Sequence, residues 1–344
     1  MTKIETKYLK GWAVLFMVFV HFGGNIVMPE FQYSWSGNDW SYAFQICVPI
    51  FLFLSGYGLM SRAKNKNVSG MPSFKEELQR AFKLLKHYWI VVTPFVVVAL
   101  LTGRFTWSWD SLVLTATSLH CVWCPNAWFI SLYIELILMF PIFFWCIKGK
   151  SIKWNVGMFL TVIVVTKFLV TIEWCDIEEN IFANQVIMFL RDMLPFIEGM
   201  LFANYSLMEI FKEKLFPSSN CKKLIVGGFC VVVAIACRAK VPWISITELI
   251  HVPICLIGLL MLTSCRSWIL RTMTYVSKYS ITLWLIHGYF CWTFFQPLIY
   301  SIRFWPLAFL VFLIMSLSAS ILIDKARERI LKKLLLSAKT FHTK

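Results

Sequence analysis

The sequence predicts an all-α fold, a polytopic membrane helix bundle of about ten transmembrane helices, and three observations carry that prediction. Hydrophobic residues fill 59% of the 344 positions and charged residues only 15%, with a mean hydropathy of +0.70, well outside the range of a soluble globular domain. Apolar runs long enough to cross a hydrocarbon core recur almost to the C-terminus. Basic residues concentrate in alternate connections, as they do when one set of loops faces the cytoplasm.

The spans fall at roughly 10–28, 41–60, 87–102, 127–146, 155–172, 183–203, 223–238, 243–263, 279–297 and 304–323. The first is expected to stay as a span, since no small-residue cleavage pattern follows it. A cytoplasmic N-terminus places Lys3, Lys7, Lys10, the Arg62 to Lys86 cluster, Lys148, Lys150, Lys153, Lys212, Lys214, Lys222, Lys223, Arg266, Arg271, Lys278 and the tail from Lys325 inside. Only Arg104, Arg238, Lys240 and Arg303 then lie outside, with the acidic stretch Glu173, Asp176, Glu178 and Glu179. The expectation is a multi-pass protein of the cell (plasma) membrane with both termini cytoplasmic.

Residues 1–344 read as a single integral-membrane domain, because the longest inner connection, Ser61 to Lys86, is too short for a core of its own. Its second half spaces Phe74, Leu78, Phe82 and Leu85 against Glu76, Glu77, Arg80, Lys83 and Lys86, which predicts an amphipathic interfacial helix. The net charge of +15 is then mostly topological. It argues for contact with membrane lipid and attraction of an anionic ligand, and against a nucleic-acid partner.

Most of the 11 cysteines lie in apolar runs, where Cys serves as a small hydrophobe. Cys121 and Cys124, after His120, sit in the loop before the fourth span, which the topology puts on the outer side. A disulfide between them, or to Cys175 or Cys237, is one reading; a zinc site lacks a second ligand pair, and no metal is expected.

The chemistry centres on His21, the only ionisable side chain between Lys10 and Val27. A helix rises about 1.5 Å per residue, so the eleven residues from Lys10 carry His21 about 16 Å into the membrane. An ionisable group at that depth is costly and marks a functional-site candidate. A second intramembrane histidine, His287, follows Ser277, Tyr279, Ser280 and Trp284 on a helix entering from the same face. Imidazole exchanges protons near neutral pH, which suits both to acid–base work. The fourth span opens with Asn126 and Trp128, a Trp suited to the outer interface, and carries Ser131, Tyr133 and Glu135 inward. Arg191, Asp192 and Glu198 offer internal pairing, and Glu248 with His251 forms an i, i+3 pair. Ser55-Gly56 permits close backbone approach, and Arg80, Lys83 and Lys86 form a stripe for lipid headgroups or a ligand's phosphates.

In order and spacing these segments resemble the acyltransferase 3 family of integral-membrane O-acyltransferases, over roughly residues 7–295. Its basic residue followed at eleven positions by histidine matches Lys10 and His21. Its Leu-Ser-Gly-Tyr segment matches Leu54 to Tyr57, and its basic helix ending in Tyr-Trp matches Arg80 to Trp89. Its Trp segment with a downstream Glu matches Trp128 to Glu135, and its late Ser-x-x-Leu-x-x-His element matches Ser280 to His287. Lys10 and Lys83 stand where the family's usual residue is Arg, and His87 where Pro is common; the soluble hydrolase-like domain fused to some relatives has no counterpart.

The resemblance implies transfer of an acyl group, most often acetyl, from cytoplasmic acetyl-CoA (acyl-CoA) as co-substrate to a hydroxyl of a cell-surface polysaccharide or lipid-linked glycan acceptor. It assigns catalysis to His21, as base or acyl carrier, with Glu135 or His287 orienting it, and acyl-CoA binding to Lys10, Arg80, Lys83 and Ser55. Ser55 as an acyl carrier lacks an adjacent base in sequence. The rival reading is a transporter or flippase of a lipid-linked sugar or small anionic solute, which ten spans with internal charges would also serve, although neither inverted repeats nor broken helices are evident in sequence. A non-catalytic scaffold leaves the two histidines unexplained.

Overall fold

The computed structural model describes residues 1–24, 43–68, 70–124, 126–171, 180–240, 247–263 and 267–342, without the side chains of 171, 331 and 333–342. It is 86% helical, with no strand among the described residues. The acidic stretch 173–179, Cys175 and Arg266 lie outside the described residues.

The chain begins with α1 (Lys3–Gly24), then a 3-10 turn at Phe44–Ile46 leads into α2 (Cys47–Asn65). There follow α3 (Phe74–Leu101), α4 (Trp109–Thr117), α5 (Trp128–Ile147), α6 (Ile152–Thr171), α7 (Ile181–Asn204) and α8 (Leu207–Leu215). The last third holds α9 (Asn220–Lys240), α10 (Glu248–Thr263), α11 (Ser267–Val276), α12 (Ser280–Gly288), α13 (Gln296–Tyr300) and α14 (Trp305–His342).

Six of the described helices are long and apolar enough to cross a membrane: Phe44–Asn65, Phe74–Leu101, Trp128–Ile147, Ile152–Val170, Asn220–Lys240 and Trp305–Ile330. The count of about ten is not reached, for identifiable reasons. α7 carries Arg191, Asp192 and Glu198; α10 has 16 residues; and the last four residues of the expected first span, 25–28, lie outside the described residues. The ninth predicted span is broken. A 3-10 turn at Ser277–Tyr279 precedes α12, and a π-helical turn at Tyr289–Phe294 separates it from α13. The interfacial helix expected at 74–86 is instead continuous with the third span, as one 28-residue helix.

Apolar side chains face outward in rows: Val156, Leu160, Val164 and Phe168 on α6, Ile225, Phe229 and Val232 on α9, Leu310, Ile314 and Leu322 on α14. Rows of this extent are too large an apolar surface for water and suit a lipid surround. The opposite faces pack one continuous core. Its tightest contact is α2 on α7, where Gly56 and Gly199 cross: a Cβ at Gly56 would lie 2.0 Å from the Phe196 carbonyl, and one at Gly199 2.0 Å from that of Phe53. Removing both side chains lets the backbones touch, which membrane helices use because lipid offers no hydrophobic drive to pack.

The segment between α3 and α5 does not form the expected outer loop. α4 folds back along α3, where Tyr88 Oη donates to the Thr115 carbonyl at 2.7 Å and Trp89 Nε1 to that of Ala116 at 2.7 Å. The chain then turns inside the bundle with Trp123, Cys124 and Asn126 buried. Irregular backbone at that depth is tolerated only where protein satisfies it. Tyr289 Oη does so for Trp123 O (2.6 Å), and Trp284 Nε1 for Asn126 O (3.4 Å). Cys121, Cys124 and Cys237 are free thiols.

Candidate functional site

α1 and α12 lie side by side and bring the two histidines together. His21 Nδ1 and His287 Nε2 are 2.5 Å apart, and the rings lie 3° from coplanar with centroids 4.7 Å apart. Such a short nitrogen–nitrogen distance with this centroid separation places the rings edge to edge in one plane, the geometry of a hydrogen bond rather than of a face-on stack. His287 is fully buried and its Nδ1 lies 3.0 Å from the Leu283 carbonyl, one turn back on α12.

That carbonyl can only accept, so Nδ1 of His287 carries its proton and Nε2 its lone pair. His21 must then donate from Nδ1, which puts the His21 lone pair on Nε2. Main chain thus sets the tautomer of His287, and His287 sets that of His21. If Nε2 takes up a proton, the hydrogen bond to His287 becomes charge-assisted and strengthens, so His287 supports a cationic His21 without bringing a negative charge into the membrane.

Trp292 packs against both rings, at 5.1 Å from His21 and 6.0 Å from His287. Five residues separate it from His287, which puts the two on different faces of an α-helix; the π turn, with its i to i+5 register, brings Trp292 over the pair. Gly288 admits this closure, since a Cβ there would stand 2.7 Å from Asn126 Nδ2 and 2.9 Å from the Trp292 ring. Sequence reasoning missed Trp292 and Gly288.

A cavity of about 290 Å³ opens at the basic end of the bundle, without either histidine in its walls. Lys7, Lys10 and Lys278 line it with Ser55, Ser277 and Ser280, and aromatic side chains of Phe51, Phe129, Tyr133 and Trp284 form its inner part. Trp284 is one turn before His287. Two of the residues expected to bind acyl-CoA, Lys10 and Ser55, are therefore at this cavity. Arg80 is not: it pairs with the buried Glu77 and lines a neighbouring cleft of about 280 Å³ with Arg62 and Lys66. Lys83 is exposed on α3. The two hollows share the α2/α3 groove, with Ser55 and Leu84 in one and Leu59 and Arg80 in the other, a helical turn apart on each helix.

His87 takes part in a clamp. Arg327 donates to its Nδ1, its Nε2 donates to Thr282 Oγ1 at 3.1 Å, and Thr282 donates to Asp324 Oδ1 at 2.9 Å, which ties α3, α12 and α14 together. Near the same end Glu5 is held below the usual carboxylate range: burial acts upward, but Lys212, 2.7 Å from both oxygens, and the Thr2 amide outweigh it.

Glu135 is placed away from the role expected of it beside the histidines. Its Oε1 accepts from Gln185 Nε2 at 2.8 Å, and the same nitrogen lies 3.1 Å from Ser131 Oγ. Trp128, expected at the outer interface, packs inside against Phe129 and Trp284. Arg191 is paired with Asp192 through two contacts of 3.2 and 2.6 Å, and Glu248 pairs with Arg238 at 3.1 Å rather than with His251.

A helix bundle with six helices long and apolar enough to cross a membrane, among the described residues, and a paired histidine centre defines a class, an integral-membrane protein. The comparisons make it specific. The acyltransferase 3 family model, described as an acyltransferase domain, matches residues 4–325, and the chain belongs to that family of membrane acyltransferases. No curated protein and no solved structure matches it.

Proposed function

We propose that this protein moves an acyl group, most often acetyl, from cytoplasmic acyl-CoA to a hydroxyl of a cell-surface polysaccharide or lipid-linked glycan, working in the plasma membrane with both termini cytoplasmic. The observation that carries the reading is the tautomer-locked pair His21–His287 next to the lysine-rimmed cavity. Lys7, Lys10 and Lys278 suit the phosphates of the donor, and the aromatic inner wall suits its uncharged pantetheine and acyl end.

In the reaction, Nε2 of His21 takes the proton of the acceptor hydroxyl as that oxygen attacks the thioester carbon. The carbon–sulfur bond breaks, and the same nitrogen returns the proton to the departing thiolate, leaving an ester and the free thiol. Direct transfer explains why one lone pair on one histidine suffices; a covalent acyl–His21 would use the same atom. Incubating the purified protein with labelled acetyl-CoA and glycan extract tests the reading. Label in glycan supports it, and uptake of solute without covalent change would favour a transporter.

A further inference from the structure

A third cavity, of about 280 Å³, opens between α5, α7 and the infolded 119–121 segment. It lies on the far side of Trp128 from the donor cavity. Trp128 lines this one, its neighbour Phe129 lines the other, and the Trp128 ring meets Trp284, which also faces the donor cavity, at 6.4 Å. Adjacent residues of α5 thus line the two hollows, and Trp284, packed against Trp128, stands one turn from His287.

The lining differs in kind. Among the described residues no lysine and no carboxylate lines it; His120, Asn184, Gln185 and Arg191 provide hydrogen-bonding groups beside the half-buried indole of Trp128. Arg191 has its charge balanced by the buried Asp192 in a two-point contact. Gln185 is buried and held through its amide nitrogen by Glu135 and Ser131, which fixes its carbonyl oxygen as the acceptor it can offer a ligand. Fixed amides, a neutralised guanidinium and one aromatic face suit a ring that carries many hydroxyls and no charge. The volume is at the low end for small-molecule sites, matching one ring rather than several.

We propose that this cavity is the acceptor site and that it takes a single neutral pyranose ring, stacked on Trp128 and hydrogen-bonded by Asn184, Gln185 and Arg191. Glu135 is then a positioning residue for Gln185 and acts on the acceptor, not on the histidines. The inference rests on the acyl-transfer reading above.

The test uses the full-length protein in lipid nanodiscs with labelled acetyl-CoA and methyl pyranosides, a methyl glucuronide serving as the charged control. Asn184 is exposed, so N184W fills the cavity at little risk to folding. The expected result is at least a tenfold rise in KM for neutral pyranosides with the Kd for acetyl-CoA unchanged, and no preference for the glucuronide. Methyl pyranosides should also slow alkylation of Cys121, which lines the cavity, at least threefold while leaving Cys221 alone, a readout that needs no turnover. Transfer by N184W at an unchanged acceptor KM, absence of Cys121 protection, or stronger use of the glucuronide would overturn the assignment. Failure of the unmodified protein to bind acetyl-CoA at all would instead remove the acyl-transfer reading beneath it.

Discussion

The two cavities that meet at Trp128 and Trp284 are built by opposite means. At the basic end three lysines from two separate stretches of chain rim the opening, and Lys7 and Lys278 are exposed. In the other cavity the polar groups are tied to one another or to neighbours, Arg191 to Asp192 and Gln185 to Glu135 and Ser131. Point charges on flexible stems attract a polyanion without demanding one geometry; a fixed network selects shape and hydroxyl pattern. If the first cavity holds the donor and the other the acceptor, capture by exposed lysines should weaken with salt, whereas selection by the fixed network should be little affected by salt but sensitive to substitution. The histidines line neither cavity; Trp284, which lines the first and packs on Trp128 of the second, is one turn from His287.

The comparison breaks most decisively at Nε2 of His21. His21→Ala is expected to lower transfer by about 10²–10⁴-fold, the usual contribution of a positioned general base, while membrane insertion is undisturbed because a polar group has left the bilayer. Activity assays on matched amounts of inserted protein check this, and retention of more than about a tenth of the rate removes His21 from the chemistry.

His287 has the next largest expected effect. Truncation to Ala should cost about 10–100-fold, since the His21 tautomer is then no longer set and the imidazolium loses its acceptor. His287→Gln presents an amide oxygen in place of Nε2 and should recover part of the loss. A Gln variant no better than Ala would show that His287 does more than accept this hydrogen bond. Gly288→Ala is expected to follow, at about tenfold in kcat with KM for acyl-CoA unchanged, because its methyl group displaces Asn126 or Trp292 from above the pair.

The same contrast explains how much could be read from sequence. Helical class was legible, since it follows from apolar run length; His287 as a partner of His21 came only with the family resemblance, which offered Glu135 as the alternative. The span count was not: the helix at 181–204 carries Arg191, Asp192 and Glu198, and the ninth run is broken by turns that apolar run length does not reveal. Trp292 was hidden by the π turn, whose register no α-helical periodicity reveals. Trp128 was placed at an interface because an aromatic beginning a span usually marks one; in the fold its ring packs against Phe129 and Trp284. Glu135 was expected to orient His21 through the family resemblance, and only the packing of α5 on α7 shows its contact with Gln185.

The smallest effects are expected among the basic residues, and they separate the parts of the donor end. Lys10 stands at the cavity below the histidines, so Lys10→Gln should raise the KM for acyl-CoA by roughly tenfold, about 1.4 kcal/mol, and leave the acceptor KM alone. Arg80 is a turn away in the adjoining cleft and already committed to Glu77; Arg80→Gln should raise it only a few-fold, by an amount that shrinks with salt. Lys83, exposed on α3, should be silent when changed to Gln. Measuring the three variants at two ionic strengths decides between two arrangements of the donor. A graded order, Lys10 above Arg80 above Lys83, supports phosphates gathered at the main cavity. If Arg80→Gln proves as damaging as Lys10→Gln, the donor must extend along the α2/α3 groove into the second cleft, and the division between a loosely charged end and a tightly wired end would have to be drawn one helical turn further out.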